Sequence, residues 1–362
     1  MMLGFLCVSL LLAGQPQNVP PPPPQSWSFV FFSNIRFNDD QSIFAQIPKP
    51  GIFYRASSES GSLIAILGGV FNRIEVNRSL KANRFWFVGS DSLLFIAGDR
   101  PRENGEDLEN FEFNGYRAGL FAGYGRQFGP RQSLRIKADY HSDLHFYTQS
   151  TDASAFTSPS DFFEHGPSLS IEPARTPPSE LMEYGVRPLL TIFHRFRHGN
   201  SSWGGLNSQR KIDQYSGVAA GITVALPVRD HLVPVFKSHA AILSKADRLN
   251  AFREGAYRAS HLRIMMSDLR VDQTVGGQLG LRWYPSASKK LSIQPFGHFL
   301  AYREIRVAGP HRDAGYGPGI SVSGQWGDST LWNLTYGAMF GNRSDLKVFH
   351  EIGLQASVRF WP

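Results

Sequence analysis

The stretch Leu134–Tyr147, "LRIKADYHSDLHFY", carries two chemically opposite sets of residues in strict alternation. Leu134, Ile136, Ala138, Tyr140, Ser142, Leu144 and Phe146 form one set; Arg135, Lys137, Asp139, His141, Asp143, His145 and Tyr147 form the other. Period-two alternation is the mark of a β-strand, whose successive side chains leave opposite faces of the pleat. A strand in a soluble sandwich also wets one face, but it usually ends after about 5–6 residues. A strand that crosses a bilayer needs roughly 9–11 tilted residues, apolar toward lipid and polar toward a lumen. The length and the dense mixed charge of this stretch fit the second demand.

The same pattern recurs along the chain. Alternating segments begin at Trp27, Ser62, Arg84, Asn114, Leu134, Asp161, Glu180, Ile212, His231, Asp272, Leu291, Tyr316, Thr330 and Lys347, which predicts about fourteen strands, within a range of about 12–16. Short connections such as "GPRQ", "PVRD", "PSASKK" and "GDS" take turns with long ones such as "GDRPRENGEDLENFEF", "TQSTDASAFTSPS" and "RHGNSSWGGLNSQRK". Short turns at one end and long loops at the other are characteristic of transmembrane barrels, and a Greek-key sandwich gives no reason for them. The fold class expected is therefore all-β: a transmembrane antiparallel up-and-down β-barrel occupying residues 26–362 as one domain.

The chain begins with an apolar run from Met2 to Ala13, too short to span a bilayer, followed by small and polar residues. This reads as a signal peptide over residues 1–14, although no basic residue precedes the run. Residues 15–25, with "NVPPPPPQ", read as a proline-rich periplasmic stub. The single cysteine, Cys7, lies inside the run, so disulfides, thiol catalysis and cysteine-based zinc sites are excluded from the rest of the chain. The formal charge of +7 is scattered singly over strands and loops, not gathered into a patch, so nucleic acid is not an expected partner.

Over nearly all of its length beyond the expected signal peptide the chain resembles the bacterial outer-membrane β-barrel proteins, with a porin-like pattern, most specifically in its last strand. Val348, Ile352, Leu354, Ala356, Val358 and Phe360 alternate with Lys347, Glu351, Gln355, Ser357 and Arg359, and the chain ends Phe360-Trp361-Pro362. Tyr116 and Tyr124 share a face about 26 Å apart along a strand, the height of an apolar band flanked by aromatic girdles. The resemblance implies integral residence in a bacterial outer membrane after export. It also implies contact with membrane lipid and lipopolysaccharide, and recognition of the last strand by the barrel-assembly machinery.

Around fourteen strands enclose more space than side chains fill, so the leading expectation is a channel or transporter for small polar or charged solutes. Its lumen-facing charges would be Arg135, Lys137, Asp139, His141, Asp143, His145, Arg187 and Arg195. The same residues could instead pair with one another and simply keep the wall polar. A second function class is a lipid or lipid A hydrolase at the extracellular rim, where His194, His198 and Ser202 share a parity as a strand enters a long loop. An export or assembly conduit is a third. No cofactor is implied. No metal site is assigned, since His141, His145, Asp139 and Asp143 lie on one strand and a metal wants three or four converging ligands.

Overall fold

The computed structural model describes residues 25–38, 43–45, 49–58, 60–68, 71–81, 83–95, 102–103, 106–107, 113–129, 133–149, 156–174, 181, 183–205, 211–247, 249–254, 269–306, 309–341 and 349–360. The expected signal peptide and nearly all of the proline-rich stub lie outside them. The long strands are β1 (Gln25–Asn38), β2 (Lys49–Ser58), β3 (Gly61–Gly68), β4 (Phe71–Ser79), β5 (Arg84–Phe95), β6 (Phe113–Phe128), β7 (Leu134–Gln149) and β8 (Phe162–Pro173). They continue with β9 (Gly185–His198), β10 (Gln214–Ala225), β11 (Leu232–Leu243), β12 (Leu269–Trp283), β13 (Leu291–Arg306), β14 (Gly309–Trp326), β15 (Thr330–Gly341) and β16 (Phe349–Phe360). Each pairs antiparallel with its neighbours in sequence, and β1 closes on β16 from Trp27↔Phe360 to Asn38↔Phe349. The result is a closed barrel of sixteen antiparallel strands, in which each of these strands has a partner on both sides.

Sixteen strands stand at the top of the range expected from the sequence. The two additional ones are β2 and β4. Residues 71–79 look like a connection because Arg73, Glu75, Asn77 and Arg78 crowd them, yet Ile74 and Val76 face outward while Glu75 is buried. Only two residues separate β3 from β2 and from β4, so no loop signal marks the boundaries between them. At the other end of the chain, "REIRVAGPHRDAG" reads in the sequence as another long loop, yet β13 and β14 pair up to Arg306↔Gly309.

The outer face is the apolar set. Ile136, Tyr140, Leu144 and Phe146 on β7 are exposed, as are Leu120, Leu169, Ile192, Leu279 and Leu354 elsewhere. Exposed aromatics gather near the two ends of this face. Trp86, Tyr124, Trp283 and Trp326 lie toward the short-turn end, and Tyr116, Phe146, Phe163 and Phe340 toward the long-loop end. These are the girdles that mark the two interfaces of a bilayer. The inner face is mostly polar but also carries buried aromatics, among them Phe162, Tyr215, Phe296 and Tyr302. Phe85, Phe87 and Phe121 form a buried cluster inside, their rings lying over Gly125, Gly123 and Gly89, where a Cβ would collide with them. That explains why residues 84–97 look apolar on both faces.

Candidate functional site: the inner wall and its two ends

The inward row of β7 is largely spent within the wall. Arg135 Nε lies 2.6 Å from Glu172 Oε1 on β8, and Lys137 Nζ lies 3.3 Å from the same oxygen. Lys137 also sits over the Phe87 ring, 4.7 Å from its centroid. Asp139 accepts a bond from Ser168 Oγ at 2.5 Å and meets His141 Nε2 at 2.6 Å. His141 stacks on Phe121. For these four residues the pairing alternative describes the wall best.

Arg195 has a similar fate. Its Nη1 donates to the backbone carbonyls of Gly166 and Pro167 on β8, at 3.1 and 2.8 Å. Pro167 has no N–H to give a ladder bond, and Gly166 sits at φ 155° where a Cβ would strike the His194 carbonyl. The guanidinium thus binds carbonyls at an interruption between β8 and β9. Arg187 lies on β9, partly exposed.

Asp143 and His145 behave differently. Registers place Asp91 on β5, Gly119 on β6, Asp143 on β7, Glu164 on β8 and Arg197 on β9 in one continuous row across the wall. Gly119 keeps this row tight, since a Cβ there would collide with Asp143 Oδ1. Arg197 Nε donates to Glu164 Oε2 at 2.8 Å, and its Nη1 donates to Asp247 Oδ2 at 2.7 Å. Tyr215 Oη on β10 donates to Glu164 Oε1 at 2.9 Å, and Arg117 Nη2 to Asp91 Oδ1 at 2.9 Å. His145 stacks on Phe162 at 4.4 Å, with Nδ1 3.2 Å from Tyr147 Oη. Asp143 Oδ1 and His145 Nε2 are buried and have no hydrogen-bond partner.

Asp247 is not on a strand. It belongs to the connection that leaves β11 at the long-loop end, yet it is buried, as are Ala246 and Ala251. Those alanines pack with Ile212, Tyr215, Leu243 and Ile305. Asp247 Oδ1 accepts the backbone N–H groups of Leu249 and Asn250, both at 3.0 Å, which curls the segment on itself. The root of this loop is therefore folded onto the inside of the barrel and fixed to the wall by Arg197.

The short-turn end has a counterpart. Leu181, ahead of β9, is buried with Ala225, Val233, Val235 and Tyr284. Tyr284 Oη donates to the Leu181 carbonyl at 2.9 Å and receives the Tyr184 hydroxyl at 2.8 Å. Burial, then this bond to Tyr284, pushes the Tyr184 hydroxyl above its ordinary pKa. Glu183 Oε2 lies 3.1 Å from Lys237 Nζ on β11, and Arg282 Nη1 on β12 donates to the Glu183 carbonyl at 2.8 Å.

His194, His198 and Ser202, the candidate hydrolase trio, are not brought together. His194 Nδ1 meets Ser216 Oγ on β10 at 2.7 Å, His198 Nε2 meets His165 Nε2 at 2.8 Å, and Ser202 is exposed in the loop. Glu164, Arg197, Asp247, Glu183, Lys237 and Arg282 were absent from the sequence-derived site. Parity on their strands could have marked Glu164, Arg197, Lys237 and Arg282 as inward. Glu183 shares the parity of Arg187 and Arg195 and so reads as inward as well, whereas nothing in the sequence marks Asp247, a connection residue that turns inward.

No family model matches the chain, and no curated protein does. Among solved structures the barrel is similar to CdiB from Acinetobacter baumannii, at 11% identity and a TM-score of 0.57, covering 92% of this chain and 60% of that one. It is also similar to BamA from Haemophilus ducreyi lacking POTRA domains 1–3, at 8% identity and a TM-score of 0.62, covering 93% of this chain and 70% of that one. The chain thus spans less than two thirds of the CdiB chain, and at these identities the likeness is one of fold. The fold of this chain is that of the bacterial outer-membrane β-barrels.

Proposed function

We propose that the protein is an integral outer-membrane channel that passes small polar or charged solutes through a lumen restricted at both ends. The observation that carries the reading is the Arg197 bridge, which ties the wall at Glu164 to the loop root at Asp247. A loop fixed inside the extracellular mouth narrows the path to a size and charge that such solutes can meet. The inward face adds ladders of both signs, which bias passage by local field. Two aromatic girdles and an apolar outer face support residence in the membrane. Proteoliposome swelling tests the reading: small sugars and amino acids should enter, and larger oligosaccharides should enter only when Asp247→Asn releases the loop. Swelling that never exceeds that of protein-free vesicles, in either form, would contradict it.

A second reading, a hydrolase acting on membrane lipid, is favoured by one contact: His194 and Ser216, hydrogen-bonded on the outward face near the long-loop end. A His that accepts the Ser proton is the core of a nucleophilic pair. If the protein is a hydrolase, Ser216 and not Ser202 is its nucleophile.

A further inference from the structure

We infer that Asp143, His145 and Glu164 form a binding site for a divalent transition-metal cation of the zinc class on the inner wall below the extracellular mouth. One ligand atom from each of the three lies within 4.8 Å of the others, and all three residues are buried. They come from two adjacent strands: Asp143 and Glu164 are direct register partners, and His145 follows on the same face of β7. Modest side-chain rotation would bring the three donors to the roughly 2.0–2.2 Å that zinc requires of nitrogen and carboxylate ligands, with a fourth position for water or a passing anion.

The independent sign of a ligand is the state of the donors. Asp143 is only 4% exposed and His145 9%, and both Asp143 Oδ1 and His145 Nε2 are buried without a hydrogen-bond partner. A buried polar atom without a partner is expensive and rare, and an ion is one of the few things that resolves it. Here two such atoms belong to the same three-residue cluster.

The surroundings are those of a cation site. His145 Nδ1 is turned to Tyr147 Oη, which leaves Nε2 as the ligating nitrogen in the way outer partners usually orient a metal-bound imidazole. Glu164 is fixed from behind by Arg197 and Tyr215, each using one lone pair of its oxygens. Arg197 divides its charge between Glu164 and Asp247, and Arg117 is engaged by Asp91. Arg73 also approaches Asp91, at 3.7 Å, but it is shared with Glu75. Five carboxylates, Glu75, Asp91, Asp143, Glu164 and Asp247, thus face three arginines, and Asp143 is paired with none of them, so the local balance leaves room for a bound cation. One imidazole among two carboxylates selects the zinc class over calcium or magnesium, which prefer all-oxygen shells.

The test is calorimetric titration of Zn²⁺ into EDTA-stripped protein refolded in detergent, with Co²⁺ as a spectroscopic substitute. One equivalent should bind, and Co²⁺ should give visible d–d bands of a low-coordinate site. Asp143→Asn and His145→Gln should each weaken binding by about tenfold or more, while heat-modifiable gel mobility confirms that the barrel still closes. His165→Gln with His198→Gln, on the outer face, should change nothing. Absence of saturable binding would overturn the inference. So would binding that survives Asp143→Asn and His145→Gln but disappears with the outer-face pair. None of these readouts depends on conductance, so the site and the channel reading stand or fall separately.

Discussion

Arg197 on β9 holds two carboxylates at once: Glu164 Oε2 on the neighbouring strand at 2.8 Å and Asp247 Oδ2 on a loop fifty residues further along the chain at 2.7 Å. All three side chains are nearly inaccessible to solvent. A guanidinium has the planar fork to serve two acceptors in different directions, which an ammonium lacks. The arrangement converts a connection between strands into part of the inner wall.

Removing that cation should cost more than removing an ordinary surface pair. Arg197→Met leaves Glu164 and Asp247 buried without their partner, and loss of one member of a buried pair typically costs about 3–5 kcal/mol. Urea unfolding from lipid vesicles measures this. Arg197→Lys should recover only part of the loss, and trypsin should cut at the described loop root, at Lys245 or Arg253, faster in both variants. A change below about 1 kcal/mol, the range of exposed pairs, would mean that water reaches the bridge.

The two faces of β7 should tolerate charge unequally. Ile136→Arg or Leu144→Arg places a cation against lipid and should destabilise the barrel by roughly 2–4 kcal/mol near the bilayer midplane. Arg135→Gln, on the inward face and paired with Glu172, should cost about 1 kcal/mol or less, the range of a solvent-accessible ion pair. Equal costs on the two faces, by the same unfolding assay, would contradict the orientation of the strand.

At the short-turn end the Tyr184 phenol is held above its ordinary pKa by burial and by its bond to Tyr284. The sign of the linkage follows. The folded state keeps the proton longer than the unfolded state, so this contribution to stability is complete below about pH 10 and declines as pH rises beyond it. Ultraviolet titration of wild type against Tyr184→Phe should show one phenol missing from the late part of the curve. A difference confined to the normal phenol range would remove the assignment.

The lipid-hydrolase reading has its own discriminating variant. If it holds, Ser216→Ala and His194→Gln should each abolish release of fatty acid from phospholipid vesicles, and Ser202→Ala should leave it unchanged. A channel without hydrolase activity releases none in any form, and its solute flux is indifferent to Ser216→Ala.

Much of the architecture is legible in the sequence because alternation reports the two faces directly: Ile136 and Tyr140 are exposed, Asp143 and His145 buried. Strand number is less so. Alternation cannot separate β2, β3 and β4 when only two residues lie between one and the next and Arg73, Glu75 and Asn77 give β4 the look of a loop. Convergence is not legible at all from one strand. The meeting of Asp143 with Glu164 depends on register, and the meeting of Arg197 with Asp247 depends on a loop turning inward. Likewise His194 and Ser202 share a parity, but cross-strand register gives His194 to Ser216.

Single-channel recording of the refolded protein in planar bilayers tests the central claim most directly. The wild type should insert with small, discrete, ohmic conductance steps, and Asp247→Asn or Arg197→Ala should raise the step size by freeing the loop root from the wall. Silent bilayers from protein whose heat-modifiable mobility proves a closed barrel, with both variants equally silent, would contradict a solute path through this lumen.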